Sequence, residues 1–422
     1  MELMADLHIH SYLSRACSRD LHPESLYRWC QLKGITILGT GDFTHPAWLR
    51  KLREKLTPAE PGLFRLKSEI EKAVDPKLPP SCRAPVRFLL EVEISCIYKK
   101  GNRVRKVHLL VFVPSFEAAA VLNARLEKIG NIRSDGRPIL GLDARHLLEI
   151  VLEVSDQAVL IPAHAWTPHF GIFGSASGFD SLEECFDDLT PHIFAIETGL
   201  SSDPAMNWQL SQLDRLALIS NSDAHSPEKL GREANRLQTE LSYQGIFSAI
   251  RERDPARFLG TLEFFPEEGK YHVDGHRSCE TRLSPEETRR HQGLCPRCHK
   301  PVTVGVLHRV EKLADRKPGQ RPPGKPGYES LIPLKEILSQ TLQVGSSSKK
   351  VDQAYHRLLN RFGNEFHILR HLPFESLETE GFPLLALAIR RMRQRDVRVQ
   401  PGYDGEFGRV SLLNPEDFGG RD

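Results

Sequence analysis

The 422-residue chain has no apolar run long enough to span a bilayer, because a membrane helix needs about 20 such residues. Its first residues contain no charged-then-apolar signal segment, so a cytoplasmic protein with no membrane partner is expected. No Gly-x-x-x-x-Gly-Lys stretch is present, which excludes a P-loop nucleotide site. No Ser or Cys nucleophile constellation is legible either, which turns attention away from covalent catalysis. A large net charge is also missing: 57 basic side chains face 55 acidic ones, so the total charge names no partner and only local clusters can. Cysteine is sparse, and five of the eight (Cys17, Cys30, Cys82, Cys96 and Cys185) are scattered, as plain thiols in a reducing compartment would be. Only Cys279, Cys295 and Cys298 stand close enough to suggest a shared metal.

What is present suits a soluble globular protein too long for one ordinary core, so two or three domains are expected. Apolar strands alternate with helical stretches. The strands read as 3–10, 35–40, 86–95, 104–114, 158–164, 192–199 and 215–221. Helices are predicted over 23–33, from 46, over 115–130 and over 143–154, and the polar, proline-rich stretch 60–85 reads as an insertion. Repeated alternation predicts an α/β fold with a largely parallel sheet, closed or nearly closed into a barrel. Barrels of that kind carry their chemistry at the carboxyl ends of the strands.

Those ends hold a recurrent set of side chains. The first strand delivers His8 and His10, which share a face because strand side chains alternate. The second ends in Asp42, the third carries Glu93 and the fourth His108. His164, Glu197 and the pair Asp223 and His225 follow at the remaining three. Glu91 competes with Glu93 two residues earlier on the same face, and the Glu93-Ile94-Ser95 context favours Glu93. A single such histidine is more often a core residue than a ligand; seven segments each supplying imidazole or carboxylate predict a multinuclear metal site. Mixed nitrogen and oxygen donors favour zinc or manganese over magnesium. Adjacent divalent ions suit phosphodiester hydrolysis, because they generate hydroxide near neutral pH and neutralise the phosphate oxygens.

The ordered set His8-x-His10, Thr40-Gly41-Asp42, Glu93, His108, His164, Glu197 and Asp223-x-His225 resembles the polymerase and histidinol phosphatase (PHP) superfamily. That resemblance implies a distorted seven-stranded β/α barrel with up to three divalent metals, zinc, manganese or magnesium, and a carboxylate such as Glu93 bridging two of them. Members commonly read Thr-Asp-His after the second strand, so here Asp42 stands where a histidine ligand is usual. Longer strings are more specific. Pro162–Pro168, Phe173-Gly174-Ser175, Ile219–His225, Asp274–Arg277 and Thr303–Arg309 together are similar to the endonuclease Q branch of that superfamily, from residue 1 through at least 316. This implies a DNA-repair endonuclease that cuts 5′ to deaminated bases (uracil, hypoxanthine, xanthine) or abasic sites. Direct attack by metal-activated hydroxide would leave a 3′-hydroxyl and a 5′-phosphate, with Glu93, Asp223 and His225 as catalytic residues.

A second metal site is expected between His276 and Cys298. Cys295-Pro-Arg-Cys298 has the spacing of a metal knuckle, and His276-x-x-Cys279 would complete a tetrahedral structural zinc site. A full ribbon would need a second cysteine after Cys279, where Arg282 stands instead, and His291 and His299 are weaker alternatives. Beyond it lie two basic clusters: Lys312, Arg316, Lys317, Arg321 and Lys325, then Arg390, Arg391, Arg393, Arg395 and Arg398. Beside a nuclease-like site both are read as DNA phosphate contacts, with Arg316 and Arg391 as representatives. Because the distinguishing edge of a lesion is hidden in a duplex, a flipped-base pocket is also expected. Trp166, His169, Phe170 and Phe173 leave the His164 strand end and are candidates to line it.

Three domains are expected: a catalytic barrel at 1–262, a zinc module and basic linker at 263–325, and a mainly helical DNA-binding region at 326–422. The expected partner is damaged DNA. A replication sliding clamp is a further candidate, though no clamp-binding peptide stands out. Two other readings account for part of the chain: a small-molecule phosphoesterase, which leaves the zinc module without a purpose, and a non-catalytic DNA-binding adaptor, which leaves the filled ligand positions unexplained.

Overall fold

The first strand, β1 (Leu3–Asp6), is fully buried and ends before His8 and His10, which continue from it as extended chain. In the computed structural model, which describes residues 2–419, it is a central strand of the main sheet. The next element is the helix Pro23–Lys33. Proline opens it, the His22 ring caps the Ser25 N–H, and Gly34 at φ +93° closes it in the left-handed conformation that glycine adopts without strain. Apart from the short strands Leu56–Pro58, Phe64–Leu66 and Ile139–Leu140, the strands that follow are β2 (Ile37–Gly39), β3 (Arg87–Lys100), β4 (Arg103–Val113), β5 (Val159–Pro162), β6 (Ala195–Glu197), β7 (Ala217–Ile219), β8 (Ala234–Leu237) and β9 (Phe258–Glu263).

The sheet is mixed, which corrects the expectation of a largely parallel one. Strands β1, β2 and β3 are parallel neighbours, as are β6 and β7. Strands β3 and β4, however, pair antiparallel from Leu90–Val113 to Lys100–Arg103, and β4 pairs antiparallel with β5. The reason is local. Gly101 and Asn102 both take positive φ, at 59° and 60°, which makes a two-residue hairpin turn whose twist matches the flanking strands. A hairpin fixes its strands antiparallel. On the other side β8 pairs antiparallel with both β1 and β9, and β9 pairs parallel with the strand Gly327–Ser330.

Two further contacts join the strand ends around the site. The Ala165 N–H, just past β5, donates to the Glu197 carbonyl (2.9 Å), and the His10 N–H donates to Ala224 (3.2 Å), just past β7. One buried cluster draws Leu7, Ile37, Leu89, Leu110, Ile161, Ala195 and Ile219 from seven consecutive stretches of this frame.

After β9 a small hairpin, Asp274–His276 with Thr281–Leu283, precedes the helix Pro285–Arg290. The C-terminal third is helical: Leu334–Leu342, Lys349–Phe362, Glu365–Arg370, Phe374–Thr379 and Pro383–Gln394, closed by the hairpin Arg398–Gln400 with Arg409–Ser411. The helix Lys349–Phe362 buries Val351, Tyr355, Leu358 and Leu359, one face of a 3.6-residue period. It is tied to the first helix at Glu365. That carboxylate accepts from the Tyr355 hydroxyl (2.8 Å) and pairs with the equally buried Lys33 (2.8 Å). No helix among the described residues is long and apolar enough to cross a membrane.

Candidate metal centre

Glu93 lies at the middle of the site. It is fully buried on β3, and its two oxygens face different groups. Oε1 is 2.6 Å from His108 Nδ1 and 2.9 Å from His164 Nε2, and those two nitrogens are 3.2 Å apart. Oε2 is 3.3 Å from His10 Nε2 and 3.6 Å from His8 Nε2; Asp223 Oδ1 lies 3.1 Å from His10 Nε2 and 3.6 Å from His8 Nε2. Two groups of donor atoms thus lie within 4.8 Å of one another: His8, His10, Glu93 and Asp223, and Glu93, His108 and His164. Glu93 is common to both.

Orphaned atoms show what these groups suit. His8 Nε2, His10 Nε2 and Asp223 Oδ1 are buried without hydrogen-bond partners. Buried polar atoms are ordinarily satisfied, so three converging orphans fit a divalent cation. The charge balance agrees. Burial opposes a charge on His8, but Glu197 and Asp223 outweigh it and raise its pKa well above the ordinary value. Asp223 and Asp42 do the same for His10. Burial likewise pushes Glu93 up, yet His108 and Arg137 hold it well below the usual carboxylate range.

The remaining residues expected from the sequence stand one step back. Asp42 Oδ1 is 3.2 Å from His10 Nδ1, and its Oδ2 accepts from the Ser11 N–H (2.7 Å) and from the hydroxyls of Ser11 (2.6 Å) and Ser14 (2.9 Å). Glu197 Oε1 is 3.0 Å from His8 Nδ1, and Oε2 accepts from the His164 N–H (2.7 Å). Each carboxylate therefore holds the ring nitrogen that faces away from the donor group, an arrangement that fixes the tautomer of metal-binding histidines. His225 is 37% exposed, and its ring packs edge-on against His10 at 4.7 Å. Glu91 points elsewhere. It accepts from the Gly41 N–H (3.1 Å), and burial raises its pKa well above the usual range.

The backbone is bent at three of these positions. Asp42, His164 and Asp223 have φ of 51°, 26° and 45°, a region that side-chain-bearing residues seldom occupy and that concentrates at functional sites.

Sequence reasoning missed Arg137, whose guanidinium donates to Glu93 Oε2 (2.9 Å). It comes from a polar loop with no periodicity, and no motif marks it. Glycine precedes it because a Cβ at Gly136 would lie 2.2 Å from Asp42 Oδ2.

The residues expected to meet DNA are distributed differently. Trp166 is fully buried, donating from Nε1 to Asn207 Oδ1 (2.7 Å) and packing on Phe173. It braces its loop, and the expectation that it lines a base pocket is corrected. Phe170 is half-buried and lies 4.3 Å from the His108 ring, while His169 is exposed. Arg316 pairs with both Asp214 oxygens, and Arg391 with both Asp417 oxygens. Arg393 donates to the carbonyls of Ile368, Leu369 and Leu372. All three guanidiniums already have partners within the fold, while Arg316 and Arg391 keep 26% and 19% of their side chains exposed.

Around the second candidate site, His276, Cys279, Cys295 and Cys298 place their donor atoms within 4.8 Å of one another. Cys298 Sγ is 3.5 Å from His276 Nδ1. Burial works against the Cys295 thiolate, but Thr281 and the Arg297 and Cys298 N–H groups bring its pKa down to about 6. The surrounding apolar core is only Leu283, Val302 and the cysteines, too little to order such a segment unaided. The donor set fits a tetrahedral zinc.

The chain is built throughout like the lesion-specific endonucleases. It is similar over its entire length to endonuclease Q: PfuEndoQ from Pyrococcus furiosus superposes with a TM-score of 0.85 and 29% identity, covering 100% of this chain and 98% of that one. Endonuclease Q in complex with a 27-mer duplex carrying an abasic lesion at the active site superposes equally well, at 0.85 and 29%. The uncharacterized protein YqxK of Bacillus subtilis is 29% identical over 97% of this chain and 99% of its own length. MJ0043 of Methanocaldococcus jannaschii is 31% identical over 274 residues, which are 62% of this chain but only 34% of MJ0043. Residues 333–396 match the family described as the MJ0043 C-terminal domain.

Proposed function

We propose that this protein is a DNA-repair endonuclease that hydrolyses the phosphodiester 5′ to a deaminated base or an abasic site, leaving a 3′-hydroxyl and a 5′-phosphate. The observation that carries the reading is the whole-length superposition on endonuclease Q bound to a lesion-containing duplex. In this reading β1 to β7 close into a distorted seven-stranded barrel through the Ala165–Glu197 and His10–Ala224 contacts. His8, His10, Glu93 and Asp223 would hold one divalent ion, and Glu93, His108 and His164 a second, with Glu93 shared. Bound divalent ions lower the pKa of water and offset charge on phosphate oxygens. The chain's own part is positional. Asp42 and Glu197 hold the outward nitrogens of His10 and His8. Phe170, covering His108, offers a face on which an extrahelical base can stack.

His276, Cys279, Cys295 and Cys298 would hold a structural zinc beside the barrel, and the helical region from residue 326 would complete the DNA-binding protein. The test is cleavage of labelled duplexes bearing one uracil, one hypoxanthine, one abasic site or none, with Asp223→Ala alongside. A nick immediately 5′ to the lesion, absent from the variant and from intact DNA, is expected. Hydrolysis of a simple phosphomonoester without any nick would favour a small-molecule phosphoesterase. DNA binding with neither activity would favour an adaptor.

A further inference from the structure

Arg137 is not explained by the donor groups themselves. Glu93, its partner, is fully buried, whereas the Arg137 side chain is 27% exposed and so stands between the donor cluster and solvent. Its guanidinium has five N–H donors, yet only Nη1, on Glu93, makes a hydrogen bond among the described residues. Arginines that brace this fold behave otherwise: Arg309 donates to the carbonyls of Phe173 and Phe179 and to Asp180, and Arg393 to three carbonyls. Arg232, also near the site, is engaged with the carbonyls of Ser222 and Asp223.

The backbone around Arg137 is fixed on both sides. The Gly136 N–H donates to Leu13 (3.1 Å), the Arg137 N–H to Asp135 Oδ1 (3.1 Å), and the Pro138 carbonyl accepts from the Ser95 N–H (3.0 Å), two residues beyond Glu93. A guanidinium with unused donors, anchored over a cluster of carboxylate and imidazole groups, is preorganised for a tetrahedral oxyanion.

We infer that Arg137 is a catalytic residue that donates hydrogen bonds to a non-bridging oxygen of the scissile phosphate, beside the ions held through Glu93. The inference rests on the phosphoesterase reading above. It requires no proton transfer from Arg137, only charge and geometry. Lysine would supply the charge without the planar fork.

The test uses full-length, metal-loaded protein and the variants Arg137→Gln and Arg137→Lys. Metal content and melting temperature establish that each variant is folded and loaded. Titration with inorganic phosphate then reads binding without turnover. Arg137→Gln should weaken phosphate by about 10- to 100-fold, the loss of a charge-assisted hydrogen bond, with metal content unchanged. On lesion duplexes the loss should fall on kcat more than on KM. Separate Rp and Sp phosphorothioates at the scissile position should be discriminated by the wild type and less so by Arg137→Gln. Wild-type phosphate affinity and thio discrimination in Arg137→Gln would overturn the inference. So would loss of metal or of fold in both variants, which would make Arg137 a structural partner of Glu93. If the wild type cuts no lesion duplex but binds phosphate through Arg137, the endonuclease reading fails and this inference stands.

Discussion

Replacing Glu197 by glutamine tests whether the buried carboxylates behind the histidines set up the metal centre. Three donors converge on Glu197. Oε1 is 3.0 Å from His8 Nδ1 and accepts from Asn221 Nδ2 (2.8 Å); Oε2 accepts from the His164 N–H (2.7 Å). A glutamine keeps one acceptor oxygen and turns the other into a donor. Whichever way the new amide lies, its NH2 meets either the Asn221 amide or the His164 N–H. Asn221 cannot flip to relieve the clash, because its Oδ1 accepts from the Leu7 N–H (2.8 Å) and from Asn235 Nδ2 (2.8 Å). One buried donor is left unpaired, at a cost of about 1–3 kcal/mol. The charge that holds the His8 tautomer is lost as well.

Removing such an outer carboxylate lowers metal affinity roughly 10- to 100-fold. The assay is metal content by mass spectrometry after dialysis against graded chelator, with thermal melts of the metal-free protein. Glu197→Gln should melt lower without metal and lose the ion on the His8 side at correspondingly lower chelator. Wild-type retention of both ions together with an unchanged melt would refute the reasoning.

Cys295→Ala should cost one equivalent of zinc and expose the backbone of residues 274–303 to hydrogen exchange, because that segment has little core of its own; full protection without zinc would count against the structural site. Arg391→Ala should lower stability by about 1 kcal/mol and leave the salt dependence of DNA binding unchanged, since its guanidinium is held by Asp417; a phosphate contact would instead reduce the slope by about one. Glu263 is buried beside Glu233 and receives the hydroxyls of Thr198 and Ser220, and burial raises its pKa from 4.5 to about 8. The neutral form is favoured in the fold, so the stability it contributes is full below the unfolded value and is lost as pH rises towards 8. Glu263→Gln should therefore melt higher than wild type at pH 9, with the difference shrinking towards pH 5; a pH-independent difference would show that Glu263 is not the titrating group.

The strand-borne donors were legible because one periodicity governs them. His8 and His10, two apart, and His108 and His164, at matching places on later strands, need only the strand direction to be brought together. The hairpin was written in Gly101-Asn102 and still escaped the parallel expectation, because strand–helix alternation elsewhere outweighed one two-residue turn. Which carboxylates face the donor groups and which stand behind was not legible. Asp42 and Glu197 have the same composition and the same strand-end placement as Glu93 and Asp223; only which imidazole nitrogen each one meets separates them. Which basic side chains are already paired was not legible for a related reason. Their partners are remote in sequence or local only in space, Asp214 for Arg316 and Asp417 for Arg391, and a count of charges does not say which are already paired.

The strained positions make the same point from the side of the backbone. Glycine would take the left-handed angles of Asp42, His164 and Asp223 freely, whereas other residues pay on the order of 1–3 kcal/mol at each such place. The chain nevertheless keeps a carboxylate or an imidazole at all three. At Gly34, which closes a helix and carries no donor, the same backbone conformation is met with glycine. Asp42, His164 and Asp223 accept the strain at places from which their side chains reach His10, Glu93 and His8.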